Sequence, residues 1–279
     1  MRRIAHISDL HFGRVNTRLQ DALLADIEKL SPDLVVISGD LTQRAHTKEF
    51  SLAKEYLERI PFPSLVIPGN HDIPLYNVPR RFIRPLKRYK EYITEDLNPF
   101  YVDDEIAVLG INTARSLTLI HGQITRRQMI DIERQFTAVP QNLFKIVVTH
   151  HPFISPMGRR LRRQIAHGAT ALRTIDRCGV DMILAGHLHK CYTGDISSAY
   201  RRVKRPIIVA NAGTAISTRV RKEPNSFNLV TIEGDKMQIA MHAWDGAHYV
   251  ESRMTDYLRG NSVGSSADIL VHDEELVTL

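Results

Sequence analysis

Residues 4–11 read Ile-Ala-His-Ile-Ser-Asp-Leu-His, and residues 34–40 read Leu-Val-Val-Ile-Ser-Gly-Asp. Each is a short apolar run that breaks abruptly into polar side chains, Asp9 and His11 in the first and Gly39-Asp40 in the second. Between the two runs, Leu19, Leu23, Ile27 and Leu30 recur at helical spacing over residues 16–30 until Pro32 stops the pattern. A second helical stretch follows at 47–59, with Phe50, Ala53, Tyr56 and Leu57 on one side, and a third short strand at 65–67 ends in Gly69-Asn70-His71-Asp72. The order β-α-β-α-β predicts an α/β layer protein.

Working outward, further strands are predicted at 106–111, 144–148, 182–184 and 207–209, with helices at 125–136 and 170–178. The last third alternates differently: residues 227–232 and 237–242, joined through Glu-Gly-Asp-Lys, form an antiparallel hairpin. No internal repeat and no Pro-, Gly- or Ser-rich linker divides the chain, so one domain is expected over residues 1–260. Residues 261–279 form an acidic C-terminal tail, expected to leave the domain poorly ordered.

The 279 residues are 43% hydrophobic and 24% charged, enough to bury a core without covalent staples and too apolar for a disordered chain. Two cysteines, Cys178 and Cys191, exclude a disulfide framework and fit a reducing compartment. The basic start Met1-Arg2-Arg3 lacks the apolar stretch of a signal peptide, so a cytoplasmic location is expected. The apolar runs, such as 34–37 and 146–148, fall far short of the roughly 20 residues that cross a bilayer. The net charge of +6 divides into +10 up to residue 260 and −4 in the tail. A basic body suits anionic small molecules, nucleic acid or membrane surfaces without choosing among them.

The chemistry is concentrated after the strands. Asp9-x-His11, Gly39-Asp40, Gly69-Asn70-His71-Asp72, His150-His151-Pro152 and Gly186-His187-Leu188-His189 each follow a predicted strand. Taken alone, Asp-x-His is equally a helix cap beside a satisfied histidine, and Gly-Asp is an ordinary turn. Taken together they converge, because the carboxyl ends of strands in an α/β sheet meet on one rim. His187 and His189, at i and i+2, would share one side of an extended chain. The donors are nitrogen and oxygen with no sulfur, a set suited to Mn, Fe, Zn, Co or Ni and not to a structural zinc site. Seven ligands exceed one tetrahedral ion and suit two cations sharing a carboxylate, roughly 3.5–4 Å apart, the arrangement for in-line displacement at phosphorus.

With these five motifs in this order over residues 9–189, the chain resembles the calcineurin-like metallophosphoesterases, in the branch of the class III cyclic-nucleotide phosphodiesterases. The resemblance implies a four-layer α-β-β-α sandwich of two mixed sheets flanked by helices, with a dimetal site at the strand ends. It also implies that Asp9, His11 and His189 hold one metal with Asp40 bridging, and that Asn70, His150 and His187 hold the other. The two divalent ions would be Mn, Fe or Zn. A water shared by two such cations is largely hydroxide near neutral pH and attacks phosphorus without a protein base. His71, beside a ligand but not expected to coordinate, is then available to protonate the leaving alkoxide; Asp72 either orients or charge-stabilises its ring or, equally, caps the turn.

Substrate contacts are expected from His151, Arg159, Asn211 and Arg219. His151 serves equally as a pocket wall, and Arg159 opens the run Arg159-Arg160-Leu161-Arg162-Arg163 just after the His150-His151 loop. Residues 80–90 carry six cations, of which Arg80, Arg84, Lys87 and Arg88 recur at helical spacing, read as an amphipathic cover. The expected activity is phosphodiester hydrolysis of a small anionic substrate, a cyclic nucleotide first. The alternatives are a membrane-associated enzyme acting on a lipid-linked pyrophosphate or phosphodiester, and a nuclease. No basic run is interleaved with aromatics, so a stacking platform for single strands is not evident. A homodimer is compatible with the basic stretches, but no apolar seam demands one. A non-catalytic scaffold would shed ligands, and here all seven matched ligands and His71 stand in the sequence.

Overall fold

The computed structural model describes residues 1–154, 165–198, 200 and 202–260. The runs that open the chain become strand β1 (Arg2–Ile7) and strand β2 (Leu34–Ile37), paired in parallel with Ile4 opposite Leu34 and Ile7 opposite Ile37. Helix α1 (Thr17–Leu30) joins them. Asn16 caps its start by accepting from the Arg18 backbone, and Ser31 ends it in a left-handed conformation just before Pro32. Helix α2 (Thr47–Leu57) leads to β3 (Ser64–Val66), parallel to β2.

Two short helices follow, α3 (Val78–Ile83) and α4 (Lys87–Tyr92). The single amphipathic helix expected over 80–90 is therefore broken. Pro85 disfavours helical backbone at the residue before it, and Arg84 leaves the helical region at φ −145°, ψ 65°.

The second half contributes β4 (Phe100–Val102), β5 (Ile106–Ile111), β6 (Gly122–Gln123), α5 (Arg126–Thr137), β7 (Phe144–Thr149), β8 (Ile165–Ala166), α6 (Gly168–Arg177), β9 (Met182–Ala185), β10 (Tyr192–Asp195) and β11 (Ile208–Asn211). The chain then closes with β12 (Ser226–Glu233), β13 (Lys236–Trp244) and β14 (Tyr249–Leu258). The expected hairpin is present, Glu233 pairing Lys236 around Gly234 at φ +58°. Its third strand, β14, was not anticipated because its solvent-facing residues, Glu251 to Met254, interrupt any apolar alternation.

Two six-stranded sheets result, in the orders β14-β13-β12-β1-β2-β3 and β10-β11-β9-β7-β5-β4, with β6 and β8 forming a small third ladder. Ile4, Leu34 and Val36 of the first sheet meet Val108, Ile146 and Leu184 of the second in one buried layer. The alternate residues Ile7, Val35 and Ile37 pack instead with Leu19, Leu23 and Phe50 of α1 and α2. On the far side, Leu109, Val147 and Ile183 pack with Ile132 and Phe136 of α5 and Leu172 of α6. Strands buried on both faces are predominantly apolar, which is why the central runs do not alternate, His6 of β1 and Lys145 of β7 being buried polar exceptions. The molecule is the four-layer α-β-β-α sandwich of two mixed sheets. The tail, residues 261–279, and the arginine run containing Arg159 lie outside the described residues.

Candidate metal centre

The parallel strands β1, β2 and β3 of one sheet and β7 and β9 of the other deliver their carboxyl ends to a common edge, so five loops meet there. Asp9, His11, Asp40, His187 and His189 all have positive φ, between 50° and 72°. For residues with a Cβ this conformation is uncommon, and it concentrates at functional sites. It also corrects one expectation: residues 186–189 are not extended. The left-handed turns send the two imidazoles to different places, His187 Nδ1 to 3.0 Å from Asn70 Oδ1 and His189 Nε2 to 3.2 Å from Asp9 Oδ1.

Two groups of ligand atoms are thereby assembled. In the first, one atom from each of Asp9, His11, Asp40 and His189 lies within 4.8 Å of the others, all buried. The Nε2 atoms of His11 and His189 face each other at 3.1 Å. In the second, Asn70 Oδ1 stands 3.1 Å from His150 Nε2 and 3.0 Å from His187 Nδ1. Asp40 reaches both groups, with Oδ2 3.3 Å from His150 Nε2 and 3.8 Å from His11 Nε2.

These residues fit a pair of cations. Asp9 Oδ1 is buried with no hydrogen-bond partner, an expensive state for a carboxylate oxygen unless a cation takes it. The outer atoms of the ligands are fixed by the protein: Ser8 Oγ and the His187 backbone donate to Asp9 Oδ2, and the His71 backbone donates to Asp40 Oδ1. His150 Nδ1 donates to the Ser38 carbonyl at 2.8 Å and His189 Nδ1 to the Arg219 carbonyl at 2.7 Å, leaving each Nε2 for the metal side. Two motif glycines are required by close approach. A Cβ at Gly69 would lie 2.1 Å from Asp40 Oδ1, and one at Gly186 would lie 1.9 Å from Ser8 Oγ.

His71 belongs to neither group. Its Nδ1 donates to the Gln43 carbonyl at 2.9 Å, and its Nε2 accepts from Arg219 Nη1 at 3.0 Å. Arg219 Nη1 is also 3.5 Å from His11 Nε2, so this guanidinium borders the first group. Asp72 does not orient the His71 ring. Its carboxylate turns away to accept from the backbone N–H groups of Leu41, Thr42 and Gly69 and from Thr42 Oγ1, tying the loop after β3 to the loop after β2. The orienting partner is Gln43, which no side-chain motif marks because its backbone carbonyl acts.

Two expected substrate contacts are also placed elsewhere. Asn211 is fully buried at the end of β11, and its amide donates to the Lys190 and Ala212 carbonyls, bracing the loop after His189. His151 is fully buried against His187 with ring centroids 4.7 Å apart, and its Nδ1 shares a hydrogen bond with Thr113 Oγ1 at 2.8 Å. Its Nε2 is buried with no hydrogen-bond partner, and one ligand atom each from His150, His151 and His187 lie within 4.8 Å of one another, so His151 stands as a further nitrogen beside the second group.

The protonation pattern follows from burial and from the Asp40 charge. Burial opposes ionisation of Asp40, but His150, His71 and His11 around it hold its carboxyl far below the usual range. Asp9 is held low in the same way by His189 and His11. Asp72 moves the opposite way, pushed up to about 7 by burial and then by the Asp40 charge. Burial and the neighbouring His150 bring His187 down to about 3, ready to donate a lone pair. For His150, burial acts downward, yet Asp40 prevails and raises it from 6.5 to about 9. That raised value stabilises the metal-free fold below pH 6.5, and the contribution is lost as pH rises through about 9. A cation at His150 must displace that proton. Metal affinity, measured by calorimetry at a series of pH values, is therefore expected to rise about tenfold per pH unit for each proton displaced up to about pH 9. A pH-independent affinity over that window would contradict the assignment.

Over residues 2–191 the chain matches the family model described as calcineurin-like phosphoesterase. The chain belongs to that family. All seven ligand candidates and His71 fall inside the span shared with calcineurin-like phosphoesterases. The chain is 27% identical over 201 residues to glycerophosphodiester phosphodiesterase GpdQ of Enterobacter lignolyticus, covering 67% of this chain and 70% of that protein. It is 24% identical over 205 residues to 3′,5′-cyclic adenosine monophosphate phosphodiesterase CpdA of Escherichia coli, with coverages of 67% and 70%. In fold it is similar to a dimetal phosphatase from Danio rerio, with a TM-score of 0.66 at 13% identity over 93% of this chain and 99% of the other.

Proposed function

We propose that this calcineurin-like phosphoesterase is a dinuclear metal-dependent phosphodiester hydrolase acting on a small phosphodiester, a cyclic nucleotide first. The observation that carries the reading is Asp40 Oδ2, placed between His150 Nε2 at 3.3 Å and His11 Nε2 at 3.8 Å, one carboxylate oxygen serving both ligand groups. Asp9, His11 and His189 would hold one cation and Asn70, His150 and His187 the other. Two divalent cations held there would supply a nucleophilic hydroxide near neutral pH and positive charge against the phosphoryl oxygens. His71 and Arg219 sit beside the first group and are the groups available to the phosphate and to the leaving oxygen. The Arg219 fork would turn from His71 Nε2 to the phosphoryl oxygens, and His71, protonated on both nitrogens with Nδ1–H held by the Gln43 carbonyl, would then deliver its Nε2 proton to the leaving oxygen.

The nitrogen and oxygen donors favour Mn, Fe or Zn. The unit carrying the activity is residues 1–260. Two free thiols, Cys178 and Cys191, support a cytoplasmic setting. Among the described residues no helix is long and apolar enough to cross a membrane.

The test is turnover by metal-stripped and Mn-reconstituted protein on bis-p-nitrophenyl phosphate, p-nitrophenyl phosphate, 3′,5′- and 2′,3′-cyclic AMP, a glycerophosphodiester, a lipid-linked pyrophosphate and single-stranded DNA. Mn-dependent cleavage of the soluble diesters, with 3′,5′-cyclic AMP foremost, is the expected result. Turnover confined to the lipid substrate or to DNA would replace the small-substrate reading, and no diester turnover with Mn, Fe or Zn would end the enzymatic one.

A further inference from the structure

Beside the metal centre, two segments expose apolar side chains. Tyr76, Phe82 and Ile83 are more than half exposed, and so are Leu117, Leu119 and Ile120, with Leu117 reaching 87%. The segments lie side by side because Arg81, itself buried, donates to the Ser116 and Thr118 carbonyls at 2.8 Å each and to the Pro74 carbonyl at 3.1 Å. They also border the ligands, since the Asn70 amide donates to the Leu119 carbonyl at 3.3 Å. Soluble proteins rarely expose contiguous apolar surface at this density without a partner for it.

The charge on the same segments says what the partner is. Residues 73–86 carry Arg80, Arg81 and Arg84 and no carboxylate, with Arg81 as the buried brace, and residues 115–120 carry Arg115 and again no carboxylate; beyond this edge Lys87 and Lys90 pair with Glu91 and Glu95 at 3.1 and 3.3 Å. Arg80 and Arg84 are exposed among the apolar tips, and Arg44 stacks over the Tyr76 ring at 5.1 Å. A second copy of this face would bring cations against cations with no acid between them. Single-stranded nucleic acid would use stacking rings, whereas four of the six apolar tips are aliphatic. Aliphatic and aromatic tips set among arginines match the boundary between acyl chains and anionic headgroups.

We propose that the edge formed by residues 76–84 and 117–120 docks the protein on an anionic lipid bilayer and holds the mouth of the metal centre at that surface. The inference is independent of which phosphodiester is cleaved, because its readout is binding. Co-sedimentation of the full chain with phosphatidylcholine vesicles, with and without phosphatidylglycerol, at low and high salt, tests it. The wild type is expected to pellet with the phosphatidylglycerol vesicles and to be released by salt. Arg80→Glu with Arg84→Glu, and separately Phe82→Ser with Ile83→Ser, are each expected to weaken binding at least about tenfold while turnover of soluble bis-p-nitrophenyl phosphate is unchanged. Equal pelleting with both vesicle types, or variants that pellet like the wild type, would overturn the proposal. So would a dimer on size exclusion that Phe82→Ser with Ile83→Ser dissociates, because a second copy would then be the occupant.

Discussion

Asp40→Asn is expected to lower kcat/KM on a soluble diester by at least about 10³-fold, or about 4 kcal/mol of transition-state stabilisation. The substitution keeps the shape of the side chain, and its oxygen can still accept from the His71 backbone N–H. What it removes is the negative charge within 3.8 Å of both His11 Nε2 and His150 Nε2. With its oxygen on the His71 N–H, the amide turns its NH2 toward both ligand groups, and a donor-only nitrogen cannot ligate a cation, so the metal content is expected to fall from two per chain to one or fewer. In the metal-free protein the same change withdraws the charge that keeps His150 protonated, so the value of about 9 is expected to drop. Metal analysis and turnover are measured on one preparation, with far-UV circular dichroism to establish that the fold is retained. A variant holding two metals and keeping more than a tenth of the activity would show that Asp40 does not bridge.

The five clusters are legible in the sequence because strands buried on both faces are largely apolar, so Asp9, Asp40, Asn70, His150 and His187 stand out just beyond their ends. The helices were readable from their apolar spacing and stops, such as Asn16 and Pro32 around α1. What escaped was geometry set by backbone conformation. His187 and His189 are two residues apart, and only their left-handed turns decide that they serve different ligand groups. The spacing of Asp72 allowed two readings, and the geometry selects the cap: three residues after Gly69 its carboxylate reaches back to the turn's first N–H. Gln43 escaped because a backbone carbonyl carries no residue identity. The arginines of 80–90 read as one helix until Pro85 is weighed, and Arg81 then turns out to be a buried brace instead of a surface charge.

His71→Ala separates chemistry from metal binding. His71 contributes its backbone N–H to Asp40 Oδ1 at 2.8 Å, and alanine retains that donor, so both ligand groups are expected to keep their geometry and the metal content to stay at the wild-type level. The imidazole itself is held by the Gln43 carbonyl on one side and meets Arg219 on the other, with its ring 4.9 Å from that of His11. A general acid so placed contributes about 10²–10⁴-fold, and its value depends on how badly the leaving group needs a proton. The loss in kcat is therefore expected to lie in that range for 3′,5′-cyclic AMP, which expels a basic alkoxide, and to be much smaller for bis-p-nitrophenyl phosphate, which expels a weakly basic phenolate. A residue with only a structural role would depress both substrates alike, and a metal ligand would lose metal. Equal losses on the two substrates, or full retention of cyclic AMP turnover, would remove His71 from the proton-transfer step and leave Arg219 as the side chain beside the first ligand group that acts on the phosphate.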